Sequence, residues 1–261
     1  MTSRQLFIES VQHQVSPEEW QTRQDLAACY RLVAHFGWDD LVFTHISARV
    51  PGSDRHFLIN PFGLLFEEVT ASSLVKVDID GKHVMPSAFD INPAGFTIHS
   101  AIHGARDDAH CVIHLHTVDG VAVSCQKDGL LPISQQSLFP LTNLAYHDYE
   151  GLALHSDEKA RLVADLGTAS FMLLRNHGLL TCAGNIADAF LYMYVLQRAC
   201  EVQVRAQGGS SLIPIAPALL AGIRAAAAVV TREANGALAW PALLRKLDRM
   251  DPSYALLGAD I

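Results

Sequence analysis

Apolar and polar positions along the chain switch between helix-like and strand-like spacing, and residues that cap or break elements mark most of the switches. Ser16-Pro17-Glu18-Glu19 opens a helix. Ser16 stands at the N-cap, Pro17 presets the first helical φ, and Glu19 completes the spacing of a capping box. This helix is expected to reach about Phe36 and to stop at Gly37. Short β-type runs follow over 41–50, over 56–59 (ending in the turn Asn60-Pro61-Phe62-Gly63) and over 74–79 (closed by the hairpin signal Asp80-Gly81). Together they predict an antiparallel meander. Asn92-Pro93 opens a second helix, which carries Phe96, His99 and His103 and ends near Gly104. An apolar run with two histidines covers 111–124. A strand-like run over 171–181 is interrupted by Asn176-His177-Gly178. Asn185, with Asp188 three residues on, caps a long helix to about Gln207. After the break at 208–211, helical patterns over 217–233 and 240–249 form a tail.

The fold class expected is α/β, as a single domain over 1–261 with a core of about 20–207 and a helical tail over 212–261. The roughly 50 residues beyond the break are too few for a core of their own. The chain has 261 residues, with 19 Lys plus Arg against 27 Asp plus Glu and a net charge of −8. Its basic residues are scattered, which excludes the clustered positive field that a nucleic-acid backbone requires. A bound cation or a small neutral or anionic molecule is the expected partner. The first residues form no apolar leader, and no run approaches the ~20 apolar residues of a membrane span. Cys29, Cys111, Cys125, Cys182 and Cys200 are odd in number and contain no CxxC, so buried, reduced thiols in a cytoplasmic protein are expected.

The chemistry concentrates in Val112-Ile113-His114-Leu115-His116-Thr117. Residues i and i+2 of a strand face the same way, roughly 6.5–7 Å apart along the chain, so two imidazoles can close on one metal while Ile113 and Leu115 enter a core. His177, in Arg175-Asn176-His177-Gly178, is the candidate third nitrogen. Three histidines with an open position make a catalytic rather than a structural arrangement. The same spacing also fits ordinary packed histidines.

The segment "FTIHSAIHGARDDAHCVIHLHT" (96–117), followed by "LLRNHGLL", resembles the class II aldolase/adducin family. So do "FTHISARVPG" (43–52), "FLINPFGLLFEEVTASSLVKVDIDG" (57–81), "LPISQQSLFPLTNLAYHDYEG" (131–151) and "ACEVQVRA" (199–206), which are most similar to its adducin-like branch. The resemblance covers about residues 20–207. It implies one domain with a central, mostly antiparallel sheet flanked by helices, assembled as a homotetramer with sites at subunit interfaces. It also implies one divalent metal on His114, His116 and His177, zinc foremost, with Fe(II) or Mn compatible. A C-terminal tyrosine that reaches a neighbouring site is matched most nearly by Tyr254.

Two departures from the aldolases change the expected chemistry. Their acid/base carboxylate stands four residues before the histidine matching His99, where this chain has Gly95. A glycine transfers no proton, so the role passes to candidates among His99, Tyr146, His147, Tyr254 or a metal-activated hydroxide. At the positions that hold a substrate phosphate this chain has His45, Phe62, Pro93 and Ala94, with Gly63 retained. A dianion without donors would be badly desolvated. The substrate site, drawn as His45, Phe62, Gly63 and Gly95, is therefore expected to take a non-phosphorylated molecule, with Arg49 or Arg175 available to a carboxylate. The leading expectation is a metal-dependent lyase on a small hydroxy- or keto-acid. The alternatives are a non-haem Fe(II) oxygenase or decarboxylase of aldolase-like fold, and a non-catalytic adducin-like scaffold.

Overall fold

The structure, a computed structural model, describes residues 7–53, 55–152, 157–209, 211–231, 235–255 and 259–260. Helix α1 (Pro17–His35) begins where its capping signal stands, and Ser16 Oγ accepts the Glu19 amide at 3.2 Å. The expected reciprocal half of the box is replaced. The Glu19 carboxylate turns instead to Arg23 Nε at 3.0 Å and Lys76 Nζ at 2.7 Å, because two buried or half-buried cations bind it more strongly than one backbone amide.

Strand β1 (Phe7–Ile8) pairs outside the main sheet, with residues 259–260, and β2 (His45–Arg49), β3 (His56–Ile59) and β4 (Val75–Asp78) form the expected antiparallel meander. β2 is shorter than the 41–50 run, because Leu41 takes a left-handed φ of +50° and residues 41–43 turn. The Asp80-Gly81 hairpin returns only as an isolated Val77–His83 bridge. α2 (Pro93–Ala105) is capped by Asn92, whose side chain accepts the Ala94 amide at 3.0 Å.

The apolar run over 111–124 is two elements, β5 (Cys111–Leu115) and α3 (Val118–Ser124). Thr117 divides them by capping α3, accepting the Gly120 amide at 3.2 Å. Between them and the run over 171–181 lie α4 (Gln135–Leu141), β6 (Leu144–His147) and α5 (Glu158–Leu166), which the apolar pattern does not predict. The interrupted run over 171–181 is a hairpin of β7 (Phe171–Leu174) and β8 (Gly178–Ala183). α6 (Ile186–Gln207) starts at its Asn185 cap, which accepts the Asp188 amide at 2.8 Å. The tail holds α7 (Ile223–Thr231) and α8 (Trp240–Met250), and residues 232–233 of the helix expected over 217–233 lie outside the described residues.

Among the described residues the main sheet has seven strands in the order β4-β3-β2-β5-β8-β7-β6. Every pair is antiparallel except β6–β7. This is the expected central, mostly antiparallel sheet. One face packs Ile46, Ala48, Ile113, Leu115, Leu173 and Leu179 against α1, α3 and α6. The other packs Val112, Met172, Leu174 and Leu180 against α2 and α5. Period-2 alternation puts His45 and His114 on the α2 face. Four cysteines are buried as expected, but Cys125 is exposed at the end of α3.

Tyr30 ties helix to sheet. Its buried hydroxyl accepts the amides of Ile46 at 2.7 Å and Asn60 at 3.1 Å. Tyr30→Phe strands these two buried donors, which should lower unfolding stability by about 2–4 kcal/mol in urea titration. A loss below about 0.5 kcal/mol would show that other groups satisfy both amides.

Candidate metal centre

Two segments deliver three imidazoles to one point. His114 is the fourth residue of β5, and His116 follows just past its end. His177 sits in the β7–β8 turn, behind Asn176 at φ +57°. A side chain at 178 would place its Cβ 2.5 Å from the Leu115 carbonyl oxygen, so only glycine lets this turn close against β5. The rings form a near-equilateral triangle, with centroids 4.8, 4.7 and 4.8 Å apart. One nitrogen from each lies within 4.8 Å of the others.

The hydrogen bonds decide which nitrogens are available. A carbonyl oxygen can only accept, so His114 Nδ1–H donates to Leu179 O at 3.0 Å and Nε2 keeps its lone pair. His116 Nδ1–H donates to the Asp40 carboxylate at 3.0 Å, which again frees Nε2. These two Nε2 atoms face each other at 3.0 Å, and with both rings neutral in these tautomers each presents a lone pair to the other. Facing lone pairs repel, and a shared cation turns that repulsion into coordination. Two nitrogens bound at ~2.0–2.1 Å in a tetrahedron stand roughly 3.3 Å apart, close to this spacing. Carbonyl and carboxylate partners behind the ligands are what orients imidazoles in metal sites. Burial, followed by His116 and His147, pushes His177 down to about 4, so its ring is neutral and able to ligate near neutral pH. The donor set fits zinc or iron(II).

The remaining candidates divide. His45 and His99 are buried beside the triad, and the His45 ring centroid is 5.3 Å from that of His114. His147 lines a small pocket with His177. Its Nδ1 donates to Asp165 at 2.7 Å, and Nε2 lies 3.7 Å from the buried Glu158 carboxylate. Tyr146 is engaged elsewhere, its hydroxyl accepting the Leu130 amide at 3.2 Å while Arg175 covers its ring at 4.3 Å. Tyr254 is buried in its own chain and donates to Asp248 at 2.8 Å. Gly95 packs beneath His45. Phe62 and Gly63 occupy the turn after β3, and among the described residues no hydrogen bond or ring contact joins them to the triad. Arg49 donates to the carbonyls of His103 and Arg106, and Arg175 to that of Gln126, so both have structural partners.

Sequence reasoning missed Asp40, Ser47 and Glu158. Asp40 and Glu158 sit among other acids and carry no spacing signal. Ser47 had one available sign, standing two residues after His45 on the same strand face.

The comparisons agree with this architecture. Residues 24–204 match the family described as Class II Aldolase and Adducin N-terminal domain, and the chain belongs to that family. It is similar, at 64% identity over 97% of this chain and 99% of the relative, to a Pseudomonas aeruginosa protein named provisionally as an aldolase class 2 protein. It is 48% identical to alpha-adducin of Rattus norvegicus over 75% of this chain, a match spanning 27% of the adducin. The crystal structure of an aldolase II superfamily protein from Pseudomonas syringae aligns with a TM-score of 0.88 at 50% identity, covering 95% of this chain and all of that one (100%).

Asp40→Asn keeps the shape but exchanges a charged acceptor for an amide. Zinc affinity should fall about 10–100-fold in competition titration against a chromophoric chelator; an unchanged affinity would remove Asp40 from the site. Acid should destabilise the metal-free fold. Burial holds His99 well below its ordinary range and His103 at about 3. The unfolded chain therefore takes up protons first, as pH falls through about 6.5. Stability is complete above that value and is lost below it, by up to about 1.4 kcal/mol per pH unit per ring. Urea midpoints in EDTA at about pH 7.5, 6.5 and 5.5 check this, and a flat series would contradict it.

Proposed function

We propose that the protein is a metal-dependent lyase acting on a small, non-phosphorylated hydroxy- or keto-acid, with one divalent cation on His114, His116 and His177. The observation that carries this reading is the approach of His114 Nε2 and His116 Nε2 to 3.0 Å, each ring held from behind through Nδ1. Zinc is the first expectation for the cation, and Fe(II) or Mn would also suit the ligands. When bound, it would supply Lewis-acid polarisation of a carbonyl or enediolate oxygen.

The chain's own groups support a substrate without phosphate. The Phe62 amide is already spent on Asp90 O at 2.8 Å and the Ala94 amide on Asn92 Oδ1 at 3.0 Å, while Pro93 has no N–H to offer. Donors consumed within the fold cannot cradle a dianion. In this the chain differs from what its neighbour's name implies. An L-fuculose 1-phosphate aldolase from Glaciozyma antarctica aligns with a TM-score of 0.78 at 28% identity, covering 91% of this chain and 92% of that one.

Exposed Val118 and Leu152 line an open cleft with Asp40, His116, Tyr149 and His177. Such an apolar rim supports a homotetramer with sites at subunit interfaces. Free cysteines suit a cytoplasmic setting. The adducin similarity favours one second reading, a scaffold that keeps the fold without turnover.

Protein purified without oxygen, chelator or histidine tag should contain about one zinc per chain, and sedimentation should give the mass of four chains. His116→Ala should lose both the metal and aldol cleavage of hydroxy-acids. Stoichiometric iron would redirect the assays to oxygen uptake. Protein that takes up no zinc, iron or manganese would sink the proposed site and leave the scaffold. A native mass of one chain would sink the tetramer.

A further inference from the structure

The imidazole cluster extends beyond the triad. His45 on β2 is registered opposite His114 on β5. From His45 a line of hydrogen bonds runs away through the core. His45 Nδ1 meets His99 Nε2 at 3.2 Å, and His99 Nδ1 meets Ser47 Oγ. Ser47 Oγ meets His103 Nε2 at 2.7 Å, and His103 Nδ1 meets Ala109 O at 3.0 Å. All four side chains are buried, and burial keeps His99 and His103 neutral.

The far end of the line dictates every hydrogen in it. Ala109 O only accepts, so His103 carries its hydrogen on Nδ1, and its Nε2 accepts from the Ser47 hydroxyl. Ser47 has then used its one hydrogen and accepts from His99 Nδ1–H. His99 Nε2 must accept from His45 Nδ1–H. With neutral rings no other assignment satisfies all four links, and it leaves the lone pair of His45 on Nε2.

A second observation concerns where that edge of the ring points. A Cβ at position 95 would fall 2.3 Å from His45 Cδ2 and 2.6 Å from Nε2. The Nε2 edge thus lies over the first turn of α2, in space that only a glycine leaves open.

We propose that His45 is a substrate-contacting residue whose Nε2 accepts a hydrogen bond from a hydroxyl of the bound hydroxy-acid. His99, Ser47 and His103 are positioning residues that hold it in that tautomer. The ligand class rests on the function proposed above, whereas the tautomer does not. An acceptor at this point selects a protonated oxygen and disfavours a phosphate, consistent with the spent amides of Phe62 and Ala94.

The test is histidine 15N NMR on zinc-loaded protein, with His45→Gln identifying the His45 signals. His45 should be protonated at Nδ1 and bare at Nε2. Ser47→Ala should mix its tautomers, and Ser47→Thr should restore the single one. A wild-type His45 protonated at Nε2, or one unaffected by Ser47→Ala, overturns the relay. Should Ser47→Ala not fold, the wild-type and Ser47→Thr spectra decide. Glycolate is the ligand probe. Its binding should shift His45 Nε2, and His45→Gln should weaken it about tenfold while zinc stays at one per chain. Glycolate that binds without moving Nε2 overturns the contact. Glycolate that does not bind overturns the contact and the hydroxy-acid reading together, and the tautomer still judges the relay.

Discussion

The pairing of β5 with β8 is the constraint on which the rest of the site depends. The same ladder that aligns His114 with Leu180 brings the Leu179 carbonyl to His114 Nδ1 and sets the β7–β8 turn beside His116. Backbone register thereby decides both the place of the imidazoles and the nitrogen that each can offer. A one-residue slip would send His114 to the opposite face and leave the triad without its most buried member.

Two glycines make this closeness possible, each by omission. Gly178 lets the turn touch the Leu115 carbonyl, and Gly95 lets the His45 ring lie on the first turn of α2. Two non-glycine residues in left-handed conformation, Leu41 beside Asp40 and Asn176 beside His177, flank the same region. Backbone held in sparsely populated conformations is tolerated only where its surroundings over-determine it, and such strain gathers at functional sites.

The chemistry of the centre follows from burial of neutral rings. His45, His99, His103 and His114 are enclosed with few charges nearby, and desolvation keeps them unprotonated. Neutral imidazoles are ligands and hydrogen-bond acceptors, so the site is rich in lone pairs and poor in fixed charge. That composition suits a cation. Carboxylates stand to the side, Asp40 behind His116 and Asp165 behind His147, each accepting a ring N–H.

What the chain determined by itself was local. Caps at Ser16, Asn92 and Asn185 mark helix starts because each side chain bonds an amide two or three residues away. The HxH spacing places two histidines together because strand periodicity is a property of adjacent residues. His177 stood out as a candidate from its glycine-bounded turn, and the family resemblance joined it to them. The elements that the apolar pattern does not predict, α4, β6 and α5, are short, and tertiary packing rather than a strong local signal holds them. Only the tertiary structure decided that Asp40 and the Leu179 carbonyl orient His116 and His114, that Tyr146 and Tyr254 are held by partners of their own, and that Ser47 joins His99 and His103 in one line with His45. Each of these facts joins residues far apart in the chain. Their meeting depends on strand order and register, which no local pattern encodes.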